Sequence, residues 1–321
     1  MKIKKLYFFA AIHCILFLII TLIIKKAMYL FKLVLSRDDK SIFFKAIQQT
    51  EEFKILQSSE NALAKQVQEF LDICKKETYY ISSIHKDNIK LYGEAYTQDS
   101  NKWVIAVHGY TGTCSQMLST AMRFYNKGFN VLTPDCRGHG KSEGEYISMG
   151  WHDRLDILSW INTLIEKDAN CKIILYGLSM GGAAVLMASG EDLPKNVKCI
   201  IEDSAYTSVC DEFSYHLKSK YKISSWSMLY LVEFICKLKA GFTFREASTI
   251  NQVKKCKIPI LFIHGELDSL VPTSMAYKLF NEAKCDKELL IVPKAGHGIC
   301  SSIGNKTYWN KIYNFIEKHG E

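Results

Sequence analysis

The amino-acid sequence predicts an α/β fold, a mostly parallel sheet covered by helices on both faces. Three observations lead there. The hydrophobic period changes near Tyr79, where Tyr79–Ser83 and Ile89–Tyr96 read as a β-hairpin around the polar turn Lys86-Asp87-Asn88. After that hairpin, short apolar runs alternate with helical stretches, the pattern of parallel strands joined by helical crossovers. Finally, Ile173–Gly182 reads Ile-Ile-Leu-Tyr-Gly-Leu-Ser-Met-Gly-Gly and passes directly into the small, helix-forming run Ala183–Ala188. A strand thus ends on a glycine-flanked serine and turns sharply into a helix. A side chain at Gly177 or Gly181 would collide with such a turned backbone, so glycine is expected at both.

Each element follows in chain order. With 321 residues, 48% of them apolar, the chain can build one domain of roughly 200 residues or more with something added. The addition lies at the N-terminus. Leu6–Ile24 is uncharged and strongly apolar, between Lys2, Lys4 and Lys5 on one side and Lys25 and Lys26 on the other. It is long enough to cross a hydrocarbon core of about 30 Å as a helix. A cleaved signal peptide would have a shorter apolar region and a small-x-small site, which Thr21–Leu30 lacks. Residues 1–26 are therefore expected to be an uncleaved membrane anchor. Lysines flank both of its ends, and Lys32 and Arg37 add to the C-terminal side, so charge selects no orientation.

Residues 27–78 are expected to be a helical connecting segment. Ser59 and Asn61 should interrupt it, and Ala62–Cys74 carries apolar residues at helical spacing (Leu63, Val67, Phe70, Leu71). The domain proper is expected over 79–321. After the hairpin its strands are Trp103–Val107, Asn130–Pro134, Lys172–Tyr176, Val197–Glu202, Pro259–Ile263 and Glu288–Val292. Its helices are Gln116–Asn126, Trp151–Lys167, Met180–Ser189, Ser274–Ala283 and Lys306–His319. Between Ala205 and Asn251 the rhythm stops, and a small helical lid is expected at about 207–248. Its aromatics (Phe213, Tyr215, Tyr221, Trp226, Tyr230, Phe234) either wall a substrate site or pack onto the main domain.

Composition excludes several functions. The net charge of +8 is spread along the chain without a basic block in the globular part, which argues against nucleic acid. Part of the excess flanks the apolar run, where cations meet anionic headgroups. The 11 cysteines are odd in number and contain no C-x-x-C pair, which argues against a disulfide framework or a zinc site.

A serine hydroxyl becomes a useful nucleophile only when a histidine takes its proton and a carboxylate orients the imidazole. In a doubly wound sheet the loops after the strands gather along one edge. Two later strands are followed by suitable loops, His264-Gly265-Glu266-Leu267-Asp268-Ser269-Leu270-Val271-Pro272 and Ala295-Gly296-His297-Gly298. With these motifs, residues 79–320 resemble the α/β-hydrolase family. The resemblance implies the α/β-hydrolase fold and a triad in the order Ser179, Asp268, His297. Glu266 and Asp203 stay as rival carboxylates. His297, after the last strand and between glycines, is the expected base. His108 and His264 precede glycines at strand ends and look like loop supports, and His139 is expected to order the rim.

The resemblance also implies an oxyanion hole from the backbone N–H groups of Tyr110, in His108-Gly109-Tyr110-Thr111-Gly112, and Met180. The Tyr110 side chain is expected to line the acyl pocket. No phosphate loop, dinucleotide fingerprint or metal-ligand cluster occurs, so no cofactor is expected. The resulting expectation is a membrane-anchored serine hydrolase acting on a carboxylic ester, thioester or amide, with a small or lipid-like acyl substrate. A serine peptidase of the same fold and a non-catalytic binding protein are the alternatives.

Overall fold

Strand side chains alternate between the two faces of a sheet, and here both faces are apolar because helices cover both. On one face Trp103, Ile105, Leu132, Ile173, Leu175, Ile200, Ile260 and Phe262 are buried together. On the other, Val104, Ala106, Val131, Ile174, Tyr176, Ile201, Leu261 and Ile263 form a second buried cluster. The computed structural model describes residues 2–37, 49–221 and 226–320. The expected connecting segment at 38–48 and the lid at 222–225 lie outside the described residues.

Helix α1 (Lys2–Leu35) and helix α2 (Glu51–Ile73) precede the sheet. The strands are β1 (Lys75–Ser82), β2 (Lys90–Thr97), β3 (Lys102–Val107), β4 (Asn130–Pro134), β5 (Lys172–Leu178), β6 (Val197–Asp203), β7 (Ile260–Gly265) and β8 (Lys287–Val292). Their spatial order is β1-β2-β4-β3-β5-β6-β7-β8. The β1–β2 and β2–β4 pairs are antiparallel and all the others parallel. The connecting helices are α3 (Leu118–Tyr125), α4 (Asp153–Lys167), α5 (Met180–Ala188), α6 (Val209–Tyr221), α7 (Trp226–Ala240), α8 (Thr249–Val253), α9 (Thr273–Glu282) and α10 (Cys300–His319). Residues of α4 and α5 enter the first cluster, and those of α2, α3 and α10 the second. Cys136, Cys171, Cys199, Cys236, Cys256 and Cys300 are buried among these side chains as small hydrophobes.

Three expectations are corrected. Helix α2 runs unbroken through Ser59 and Asn61. Neither residue is a strong breaker on a half-exposed helix face, and the Thr50 side chain caps the start by accepting the Phe53 N–H. Strand β1 begins at Lys75 rather than Tyr79, because Lys75 is still paired with Thr97. Helix α10 starts at Cys300 rather than Lys306 and kinks at Asn305, whose φ of 33° is non-helical.

The largest difference concerns α1. Its stretch Tyr7–Leu35 is, among the described residues, the one helix long and apolar enough to cross a membrane, with a mean hydropathy of 2.6. The helix does not stop where the expected anchor ends. Ala27, Phe31 and Leu35, spaced one turn apart, are buried in the domain core. The Leu35 carbonyl accepts the Ile147 N–H, and the Arg37 guanidinium donates to the carbonyls of Gly140 and Ser142.

Candidate active site

The site is assembled where β3, β5, β7 and β8 end. At the end of β5 the chain reverses into α5 within one residue, and Ser179 takes up the strain with φ 55° and ψ −116°. A non-glycine residue at positive φ is costly. The turn is held by two backbone bonds, Ser179 N–H to the Asp203 carbonyl and Ala183 N–H to the Ser179 carbonyl. It is also crowded. A Cβ on Gly177 would lie 2.2 Å from the Gly181 oxygen, and one on Gly181 would lie 2.2 Å from the Val107 oxygen. Met180 is the first residue of α5, so its N–H belongs to the first turn, which has no intrahelical acceptors.

The Ser179 hydroxyl is 2.8 Å from His297 Nε2, and His297 Nδ1 is 2.8 Å from Asp268 Oδ2. A carboxylate only accepts, so Nδ1 carries the proton and Nε2 presents its lone pair to Ser179. The remaining Asp268 oxygen, Oδ1, accepts the N–H groups of Leu270 and Val271. His264 Nε2 donates to the Val271 carbonyl at 2.8 Å and lies 3.3 Å from Asp268 Oδ2. One loop thus folds around its own carboxylate, with His264 as a second support.

The electrostatics follow from this arrangement. Burial alone would raise the Asp268 carboxyl, but the charge of His297 and the hydrogen bonds from His264 and His297 outweigh it. Asp268 is held well below the usual carboxylate range. For His297, burial opposes protonation while the Asp268 charge and hydrogen bond, with Glu212 of α6 adding, raise its pKa overall. Behind the site, burial pushes Glu202 up to about 8 and also raises Asp203.

The rival carboxylates are engaged elsewhere. Glu266 is exposed and accepts the Lys294 N–H. Asp203 is buried and accepts the hydroxyls of Ser204 and Tyr308. His108 donates from Nδ1 to the Gly109 carbonyl and accepts the Cys136 N–H at Nε2, bridging the loops after β3 and β4. His139 is buried and edge-on to both His108 and Tyr110.

The loop after β3 runs beside the nucleophile, since a Cβ on Gly109 would be 3.4 Å from the Ser179 Cβ. Tyr110 follows, and its hydroxyl donates to the Val34 carbonyl at 2.6 Å. The ring expected to line an acyl pocket thus ties the β3 loop to the end of α1. Nothing in the sequence signalled this contact, whereas His264, expected to support its loop, does so through the Val271 carbonyl beside Asp268. In the helical insertion, Phe213 packs edge-on against buried Phe244 and Tyr215 donates to the Ser269 carbonyl, while Tyr230 and Phe234 are exposed. The side chains of Tyr221 and Trp226 lie outside the described ones.

Comparison with known proteins bears on this geometry. The family described as serine aminopeptidase, S33, matches residues 98–235. The uncharacterized protein YqkD of Bacillus subtilis is 28% identical over 76% of this chain and 80% of its own length. The α/β-hydrolase domain-containing protein WAV2 of Arabidopsis thaliana is 26% identical over 59% of this chain and 61% of its own. A Pyrococcus furiosus esterase structure superimposes with a TM-score of 0.64, covering 80% of this chain and 96% of that one at 23% identity. The chain has the α/β-hydrolase fold, and its strand order and β5–α5 elbow are those of that fold.

Proposed function

We propose that the protein is a membrane-anchored serine hydrolase that cleaves a carboxylic ester, thioester or amide through an acyl-enzyme on Ser179. The observation that carries the reading is the continuous relay Ser179–His297–Asp268, with both links at 2.8 Å. His297 Nε2 takes the Ser179 proton as Oγ attacks the carbonyl carbon, then returns it to the leaving group. Asp268 holds the imidazole in the Nδ1–H tautomer and stabilises the imidazolium. The backbone N–H groups of Met180 and Tyr110 receive the oxyanion, each such donor lowering the barrier by about 3 kcal/mol. Water, activated by the same His297, releases the acyl group.

Anchoring is supported by the length and apolarity of Tyr7–Leu35 and by the lysines beside it. An anchored hydrolase meets acyl chains readily, which favours ester or lipid-like substrates. The second reading, a peptidase, draws on the aminopeptidase description of the matching family.

The test is labelling by a fluorophosphonate, which reacts with activated serines. The wild-type chain should label and Ser179→Ala should not. Labelling that survives the substitution would remove Ser179 from the mechanism. Acyl esters of increasing chain length, run beside aminoacyl and prolyl amides, then divide the two substrate readings.

A further inference from the structure

Helix α7 has two apolar faces, and among the described residues only one of them is packed into the core. Leu229, Val232, Ile235 and Cys236 are buried in the same cluster as Ala27, Phe31 and Leu35, and α7 packs against α1. On the outer face, Tyr230, Phe234 and Leu238 recur one turn apart and are 53%, 59% and 69% exposed. Outside α1, the other large exposed hydrophobics of the described residues (Ile73, Tyr80, Ile84, Leu267, Tyr277, Ile303) sit singly on separate elements. Isolated residues of that kind are ordinary, whereas a stripe implies an occupant.

The position of α7 along α1 identifies that occupant. The uncharged run of α1 ends at Lys25 and Lys26, and the α1 residues buried in the cluster shared with α7 begin at Ala27. At 1.5 Å per residue, Leu35 lies only about 15 Å beyond the lysines, and a helix with its side chains is about 10 Å across. A helix packed on that stretch stands at the headgroup level of any bilayer that α1 enters. The composition suits this depth. Lys237 and Lys239 accompany the stripe, and the Arg245 guanidinium lies 4.3 Å above the Tyr230 ring. Aromatic and aliphatic residues with basic neighbours are what an interfacial helix presents to acyl chains and anionic headgroups. The active site is close to this junction, because Tyr110 bonds to the end of α1 and α6, next to α7 in the insertion, carries Glu212 into the field of His297.

We propose that α7 is seated in the surface of the bilayer that holds α1, with Tyr230, Phe234 and Leu238 at the headgroup–acyl boundary, so that acyl substrates reach Ser179 from that leaflet. The proposal rests on the anchoring reading above and adds to it where the substrate comes from.

The full chain, reconstituted in phosphatidylcholine–phosphatidylglycerol vesicles, gives two readouts. With Phe234→Trp, brominated acyl chains should quench most of the emission that the substitution adds. Emission equal to that in unbrominated vesicles would overturn the proposal, and this readout needs no turnover. With Phe234→Ser/Leu238→Ser, hydrolysis of a long-chain ester carried in the vesicles should fall roughly tenfold, as loss of two apolar contacts implies. Hydrolysis of a short, water-soluble ester should stay near the wild-type rate. An equal fall on both esters, or no change on the vesicle-borne one, would overturn the proposal. So would cross-linking that finds the stripe covered by a second copy of the chain, or release of the wild-type chain from the vesicles by alkaline carbonate. Quenching in a chain that labels with no fluorophosphonate would sink the hydrolase mechanism and leave the seating of α7 supported.

Discussion

Asp268 keeps its charge where burial opposes it, because two imidazoles and two backbone N–H groups surround the carboxylate. Its amide would reverse the hydrogen-bond polarity toward His297 and favour the wrong tautomer. Asp268→Asn should therefore lower kcat roughly 10⁴-fold, and Glu266→Gln, whose carboxylate faces Lys294, should leave it essentially unchanged. Comparable losses in both would reassign the acid. The pH profile carries the same logic. His297 must be neutral to act as a base, and Asp268 raises its pKa. The acid limb of kcat/KM should thus lie above an ordinary histidine value of about 6.5. In Asp268→Asn it should move to lower pH. Glu202 behaves in the opposite sense, since burial lifts it to about 8. Between its unfolded value and that pH, the native state holds a proton the unfolded state has lost, so stability falls as pH rises. Glu202→Gln can still accept the Ala205 N–H, and it should flatten this dependence, raising Tm at pH 8 more than at pH 5.

At the scale of elements, the β5–α5 elbow is the most constrained. A Cβ on Gly181 would meet the oxygens of Val107 at 2.2 Å and His108 at 2.6 Å, and backbone atoms at sheet centre cannot yield. Gly181→Ala should cost about 3 kcal/mol or more, read as a lower urea midpoint. The elbow was legible in the sequence because its causes are local: glycines, a β-prone run and a helix-forming run within sixteen residues of chain. The loops carrying Asp268 and His297 were legible for the same reason, as polar residues placed just after strand ends. Helix α2 was misread at Ser59 and Asn61, where tertiary packing of Phe70 overrides weak local preference. The start of α10 was missed because Gly304 and Asn305 look like a boundary and serve as a kink.

For the whole molecule, Arg137 shows how distant segments are clasped. Its guanidinium makes a bidentate pair with Asp156 of α4 and also reaches Asp87 in the β1–β2 turn, almost fully buried. Removing one member of such a pair leaves a buried charge uncompensated. Arg137→Met should lose about 3–5 kcal/mol, measurable by chemical denaturation, and should loosen the loop after β4 that carries His139. Nothing in Arg137-Gly138-His139 announces this partnership, because Asp87 and Asp156 lie far away in sequence and only the packing of the hairpin on α4 brings them in.

By itself the sequence determined the alternation of strands and helices, the strained serine, and the loops from which an acid and a base could come, because periodicity and turn chemistry act over a few residues. It also determined that one helix is apolar enough for a membrane. Tertiary structure alone decided which carboxylate stands beside His297, that His264 braces it, and that α1 continues into the domain to meet Tyr110 and α7. Those outcomes depend on contacts between residues remote in the chain, where the energy lies in burial and geometry and leaves no local pattern to read.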